Sequence, residues 1–319
     1  MYQIGENVAL RTAFGPALLS LAQEDPRIMV VTADLGGSVN LGEFKQAFPD
    51  RYINCGVAEA DMISICAGLA SEGAIPFAVT FGSFLGRAVD HIRQGIGHNK
   101  LKVNIVGSHG GISNGMDGPS AHAIEDVGIM RSMPNFTIVA PSCANQVENA
   151  IRASVSQSAP VDLRSSPVYL RLYREPLPVF TSATEEFQIG RAIKRSEGSD
   201  VTLLAYGPHV GFCMDWLAKL QGVASIDFLE VHTVQPLDED AIMASVAKTG
   251  RVVTVEDHFI RGGLASAVAE LLVSRRPAPL RAVALRDYAR SGPYFELRDS
   301  IGLGVDAVSA AIEDVLTLT

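Results

Sequence analysis

Short apolar, β-branched runs alternate along the chain with longer stretches in which apolar positions recur every three or four residues. The runs at residues 28–32, 75–80, 103–106, 137–140 and 168–172 are nearly continuous, which predicts strands covered on both faces. Helical spacing predicts helices over 8–21, 58–70, 84–95 and 144–155. A second series begins near residue 190. Its strands fall at 201–206, 226–231, 252–255 and 282–285, and its helices near 211–220, 238–247, 264–274 and 305–316. The alternation predicts parallel sheets and an α/β class built from two consecutive three-layer domains, residues 1–180 and 190–319. The joint is placed at 175–184, where Pro176, Pro178, Ser182 and Thr184 cluster and helical periodicity lapses. No fixed-period repeat interrupts the pattern.

Length agrees with two domains, since 319 residues span about two units of ~100–200 residues. Apolar residues at 47% and charged residues at 19% exclude a largely disordered chain. Lys and Arg number 26 against 35 Asp and Glu, a net charge of −9 that repels a phosphate backbone, so a general nucleic-acid binder is excluded. Cys55, Cys66, Cys143 and Cys213 are too widely spaced for a CxxC pair or a metal site and read as reduced, mostly buried thiols. No apolar run is long enough to span a membrane and the first residues do not resemble a signal peptide, so no membrane association and a cytoplasmic location are expected.

Ligands of open α/β sheets bind beyond the carboxyl ends of the strands, which directs attention to three loops. Residues 54–62 place Glu59 at the mouth of a very apolar helix, where a carboxylate also simply complements the helix dipole. Residues 80–88 carry Phe81 and Phe84 three apart with Arg87 one turn later, a face able to hold a flat heterocycle or to pack into a core. Residues 107–122 contain five glycines within 107–118 and the side chains of His109, Asp117 and His122. So little side chain lets backbone approach a ligand closely, whereas the histidine and aspartate spacing fits no standard metal pattern. Arg261-Gly262-Gly263 before a helix offers an anion seat or a tight turn.

Five motifs in order, Asp34-Leu35, Gly56-Val57-Ala58-Glu59, the stretch from Phe81 to Ala88, Asp117-Gly118-Pro119-Ser120 and Tyr173-Arg174, together resemble the thiamine diphosphate enzymes of the transketolase family. Glu256 to Leu264 resembles a stretch of that family's C-terminal domain. The resemblance implies a pyrimidine-binding domain followed by a smaller C-terminal domain. It also implies a missing half, because a full transketolase has an N-terminal domain with a Gly-Asp-Gly…Asn magnesium motif that this sequence lacks. The chain thus resembles the C-terminal subunit of a split transketolase. A separate N-terminal subunit would hold the diphosphate and most of the Mg²⁺ site, around a homodimer core within an α2β2 heterotetramer.

By that resemblance, thiamine diphosphate is the cofactor and the reaction transfers a two-carbon ketol unit from a ketose, expected to be a phosphate, to an aldehyde. Glu59 would exchange a proton at the pyrimidine N1′, Phe81 and Phe84 would embrace the ring, and Asp34 and Arg87 would lie near it. Asp117 would contact sugar hydroxyls, His109 would lie near the sugar, and Ser38 and Arg174 would hold a sugar phosphate, to which a guanidinium fork donates two hydrogen bonds. Glu59, His109 and His122 form the expected catalytic set. Two departures from the family pattern are Ala121, where relatives have a substrate-facing histidine with His122 one place late, and Gly110 in place of an aspartate. The β subunit of a 2-oxoacid dehydrogenase, a deoxyxylulose phosphate synthase-like enzyme and a non-catalytic scaffold are the alternative readings.

Overall fold

The computed structural model describes residues 2–156 and 166–318. The first apolar runs form β2 (Ile28–Thr32), β4 (Ile75–Phe81), β5 (Asn104–Ser108), β6 (Thr137–Val139) and β7 (Val168–Arg171). They pair in parallel within a seven-stranded sheet that also contains β3 (Tyr52–Asn54) and β12 (Thr233–Gln235), ordered β12-β6-β7-β5-β4-β2-β3. Strand alternation explains why the runs are continuous. Val30, Phe77, Val79 and Val106 pack on one face with Phe14, Leu18 and Ile151, while Val31, Ala78 and Ile105 pack on the other with Met62, Ile63 and Ile92.

The second series forms a five-stranded sheet ordered β14-β13-β10-β11-β9. Its members are β9 (Ile193–Ser196), β10 (Val201–Ala205), β11 (Ile226–Glu230), β13 (Val252–Phe259) and β14 (Leu280–Leu285), parallel except for β9. Helices Pro208–Gln221, Glu239–Thr249, Leu264–Arg275 and Val305–Leu316 cover it, and Asp238 caps the second by accepting from the Ala241 amide at 3.2 Å.

Two sequence expectations need correction. Residues 7–9 form β1 (Asn7–Ala9), not the first turn of a helix, which starts at Leu10. Its antiparallel partner is β8 (Pro176–Pro178), so the expected joint carries a strand that returns to the N-terminus, with the prolines tolerated on a two-stranded ribbon. The segment 84–95 is not one α-helix. It runs as 3₁₀ turns over Gly82–Ala88, one α turn over Val89–His91 and wider i→i+5 turns over Ile92–Gly97, a course suited to a stretch holding Gly82, Gly86, Gly95 and Gly97.

The two units are not separate bodies. β12, from the second half of the chain, pairs antiparallel with β6 of the first sheet, and Gln235 Nε2 donates to the Phe136 carbonyl at 2.8 Å. The core beside helix Glu59–Ser71 continues without a break to Leu204, Tyr206, Val234 and Leu264. At the centre of the junction stands Arg171 at the end of β7, fully buried. Its Nε donates to Asp126 Oδ2 at 2.8 Å and its Nη1 to Asp257 Oδ1 at 2.8 Å, joining a carboxylate from each unit. Nη2 reaches the Ala123 carbonyl at 2.7 Å, and Tyr169 donates to Asp126 Oδ2 at 2.6 Å. Burial opposes charge on both Arg171 and Asp126, but their mutual attraction prevails, holding the guanidinium pKa up and the carboxyl pKa down.

Replacing Arg171 by Met should strand two buried carboxylates and cost about 3–5 kcal/mol of stability in urea unfolding. A loss below ~1 kcal/mol would show that the pairing is incidental to the junction.

Candidate active site

The carboxyl ends of β2, β4, β5 and β7 open on one side of the first sheet and deliver most of the predicted residues there. Glu59 is the first residue of helix Glu59–Ser71 and its side chain is only 3% exposed. The turn before it is held by Asn54, whose Oδ1 accepts from the Gly56 amide at 3.0 Å, and Gly56 takes φ +72°, which suits glycine. Arg87 Nη1 donates to Glu59 Oε1 at 3.1 Å, but its own side chain is 60% exposed, so the pair is weakly held.

Arg87 also lies over the Phe84 ring, 4.9 Å from its centroid. Phe84 stacks with Phe81 at 5.2 Å, and Phe81 with His109 at 3.7 Å, so the two loops merge into one aromatic layer next to the Glu59–Arg87 pair. Asp34 and His109 both adopt left-handed backbone, with φ of 61° and 60°, at the ends of their strands. Such conformations cost energy in residues with side chains and tend to be retained where function needs them. The Asp34 side chain is fixed by Asn54, which donates Nδ2 to Oδ1 at 2.8 Å and accepts from the Asp34 amide at 3.1 Å.

A second group of residues is cationic. Arg174 Nη1 donates to Asp117 Oδ2 at 3.1 Å and to Asn114 Oδ1, and its amide donates to Ser113 Oγ at 3.2 Å. Sequence reasoning missed Arg11, which enters here from the first turn of helix Leu10–Glu24. Its Nη1 donates to the Ser38 carbonyl at 2.5 Å, while its Nε is buried without a partner. A charge among Val8, Leu10, Ala13 and Phe14 was the available signal. Burial, and then the nearby Arg174 charge, lowers the Arg11 pKa. Two guanidiniums that repel each other beside Ser38 suit an anionic group.

Burial, reinforced by Arg11 and Arg174 and opposed by Asp117, drives the His109 pKa down to about 3. The imidazole is therefore neutral near pH 7, with Nδ1 3.0 Å from the Ser108 hydroxyl. His122 is placed differently. It is buried against the backbone of Asn114 and Gly115 and in the field of Asp257. Burial lowers its pKa too, with Asp257 opposing.

A side chain at Gly110 would be tight, since a Cβ there would lie 3.0 Å from Arg171 Cγ and 3.3 Å from the Leu172 carbonyl. The anion seat offered by Arg261-Gly262-Gly263 is already filled from within. Glu256 accepts from the Leu264 and Ala265 amides at 2.7 and 2.8 Å, satisfying that helix start itself. Cys66, Cys143 and Cys213 are buried and Cys55 is half-buried, all as free thiols. Among the described residues no group of three His, Cys, Asp or Glu is placed to hold a metal ion, and no helix is long and apolar enough to cross a membrane.

The buried imidazoles carry a pH signature. Folded His109 resists protonation down to about pH 3 and folded His209 and His232 to about 4, against an ordinary 6.5. The unfolded chain thus binds more protons below pH 6.5, so stability intact above that value should fall as pH drops toward 4. In an NMR titration His109 should show no inflection above pH 5, and one near pH 6.5 would overturn the neutral assignment.

The family profile described as "Transketolase, pyrimidine binding domain" matches residues 6–178, and "Transketolase, C-terminal domain" matches 190–308. The chain is 39% identical to a 6-deoxy-6-sulfo-D-fructose transketolase subunit of Clostridium sp., over 96% of this chain and 94% of that one. It is 36% identical to a putative transketolase C-terminal section of Methanocaldococcus jannaschii, over 95% of each. It matches human transketolase at 33% identity over 99% of its own length, but spans about half of that protein, 50%. Among solved structures, a split gene transketolase described as an inactive β4 tetramer superposes with a TM-score of 0.85 at 35% identity, covering 98% of this chain and 99% of that one.

Proposed function

Because this chain belongs to the transketolase family, we propose that it is the C-terminal subunit of a split, thiamine diphosphate-dependent transketolase, transferring a two-carbon ketol unit from a ketose to an aldehyde. The observation that carries this reading is Glu59, a carboxylate buried at a helix start beside the Phe81–Phe84 layer, in a chain half the length of the whole enzyme. Residues 1–180 would supply the pyrimidine face and 190–319 the supporting domain.

The residues present suit the cofactor's pyrimidine: two half-buried aromatic rings for a flat heterocycle and one carboxyl for a ring nitrogen. Bound thiamine diphosphate would supply the nucleophilic carbon that takes up the ketol unit. Glu59 would hold and return a proton at the ring nitrogen, and Arg87, its exposed partner, would release the carboxylate at little cost. Phe81 and Phe84 exclude water from the ring. Asp34, fixed by Asn54, would lie near the cofactor.

Neutral His109 accepts or donates a hydrogen bond to the sugar, and Asp117 orients sugar hydroxyls. Arg11, Arg174 and Ser38 hold the anionic end of the substrate. His122, buried nearby, would join His109 in moving protons during cleavage and release. Val57 and Met116, 77% and 68% exposed, flank Glu59 and Asp117 and give the rim an apolar character that a covering subunit would bury. That partner would hold the diphosphate and Mg²⁺ through its Gly-Asp-Gly…Asn motif, on a homodimer core within an α2β2 assembly.

The sulfosugar relative favours a particular donor, since guanidiniums bind a sulfonate as they bind a phosphate. Ketol transfer from 6-deoxy-6-sulfofructose and from fructose 6-phosphate, compared in the reconstituted enzyme, decides between them. Glu59→Gln should lower kcat by at least about 10²-fold, the usual scale of acid–base contributions, with an unchanged melting temperature. Full turnover by that variant, or by the isolated chain, would sink the assignment.

A further inference from the structure

After β14 the chain runs through residues 286–293 into helix Tyr294–Ser300, and the end of this segment lies on the 3₁₀ turn Gly115–Asp117 of the substrate loop. The Gly292 amide donates to the Gly115 carbonyl at 3.0 Å. The fit around that bond is close. A Cβ on Gly115 would collide with the Gly292 carbonyl oxygen, and one on Gly118 with the Ser291 hydroxyl. Gly118 needs to be glycine in any case, at φ +80°, but Gly115 has no positive φ, so only the neighbouring segment keeps a side chain from that position.

The turn under this pressure carries the partners of the substrate arginine. Asp117 Oδ2 accepts from Arg174 Nη1 at 3.1 Å, and Asn114 Oδ1 accepts from the same nitrogen. Within the loop the Asp117 amide donates to the Asn114 carbonyl at 3.1 Å and the Gly118 amide to the Gly115 carbonyl at 3.2 Å. The Gly115 carbonyl thus takes one bond from its own turn and one from the C-terminal unit. The two halves of the molecule are already joined elsewhere, by Arg171, by β12, by His258 Nε2 accepting from the Gly128 amide at 3.1 Å and by Arg131 Nη1 donating to the Gly262 carbonyl at 2.8 Å. A contact confined to the loop adds little to that union and much to where the loop stands.

We propose that Ser291 and Gly292 are positioning residues, through which the C-terminal unit seats the 115–118 turn and so sets, by way of Asn114 and Asp117, where Arg174 meets the anionic end of the substrate. This rests on the preceding reading of Arg174.

In the reconstituted enzyme, Gly115→Ala should raise KM for fructose 6-phosphate about tenfold with kcat within about threefold, while the KM for erythrulose, which is short and uncharged and leaves Arg174 idle, rises less than about threefold. Ser291→Val, which adds bulk against Gly118 from the C-terminal side, should act in the same direction. Gly292→Ala keeps the amide, its Cβ meets nothing within 4 Å, and it should leave both constants unchanged. Amide hydrogen exchange of the full chain should find the Gly292 amide protected in the wild type and exposed in Gly115→Ala. Equal KM changes for both donors, an unaltered KM for fructose 6-phosphate once Gly292 has lost its protection, or an unprotected Gly292 amide in the wild type would overturn the proposal. If wild-type enzyme used neither donor, the reading of Arg174 would fail instead, and exchange at Gly292, which needs no turnover, would still decide whether the C-terminal unit holds the loop.

Discussion

One guanidinium holds the molecule's two halves in register. Arg171 lies where water cannot reach it and meets a carboxylate from each sheet, Asp126 and Asp257, with Tyr169 and Tyr173 completing the shell. Burying three charges is costly, and such a group is tolerated only when nearly every donor and acceptor is matched. That requirement is geometric as well as energetic. The ends of β7 and β13 must meet at hydrogen-bond distance, and the strands that carry the site residues are anchored to the same sheet.

The surface beyond those strand ends divides its chemistry between two patches. Around Glu59 the surroundings are aromatic and the one charged partner is exposed, so the carboxylate can change partners without disturbing the core. Around Arg174 the backbone and the loop side chains hold two guanidiniums close together, and burial, reinforced by their field, keeps His109 uncharged. Left-handed backbone at Asp34 and His109 marks one residue of each patch.

The sequence revealed the central strands well, because a strand covered on both faces must be apolar at nearly every position. It concealed β3, β9 and β12, all edge strands, whose single neighbour demands less apolar surface and whose runs are short. β1 was hidden inside the following helix's periodicity, since Val8 is buried in either conformation. In the site, Glu59, Phe81, Phe84 and Arg87 were legible because they are close in sequence or linked by motif order. Arg11 was not, as its neighbours Ser38 and Arg174 come together only when the first helix packs beside β2 and β7.

The crossing of β12 restricts how this polypeptide can be divided in evolution. A gene broken between the two units would yield a first product with a bare β6 edge, prone to sticking to its copies, and a second product carrying an orphan strand. Fission at that point would separate the two partners of this pairing and expose both.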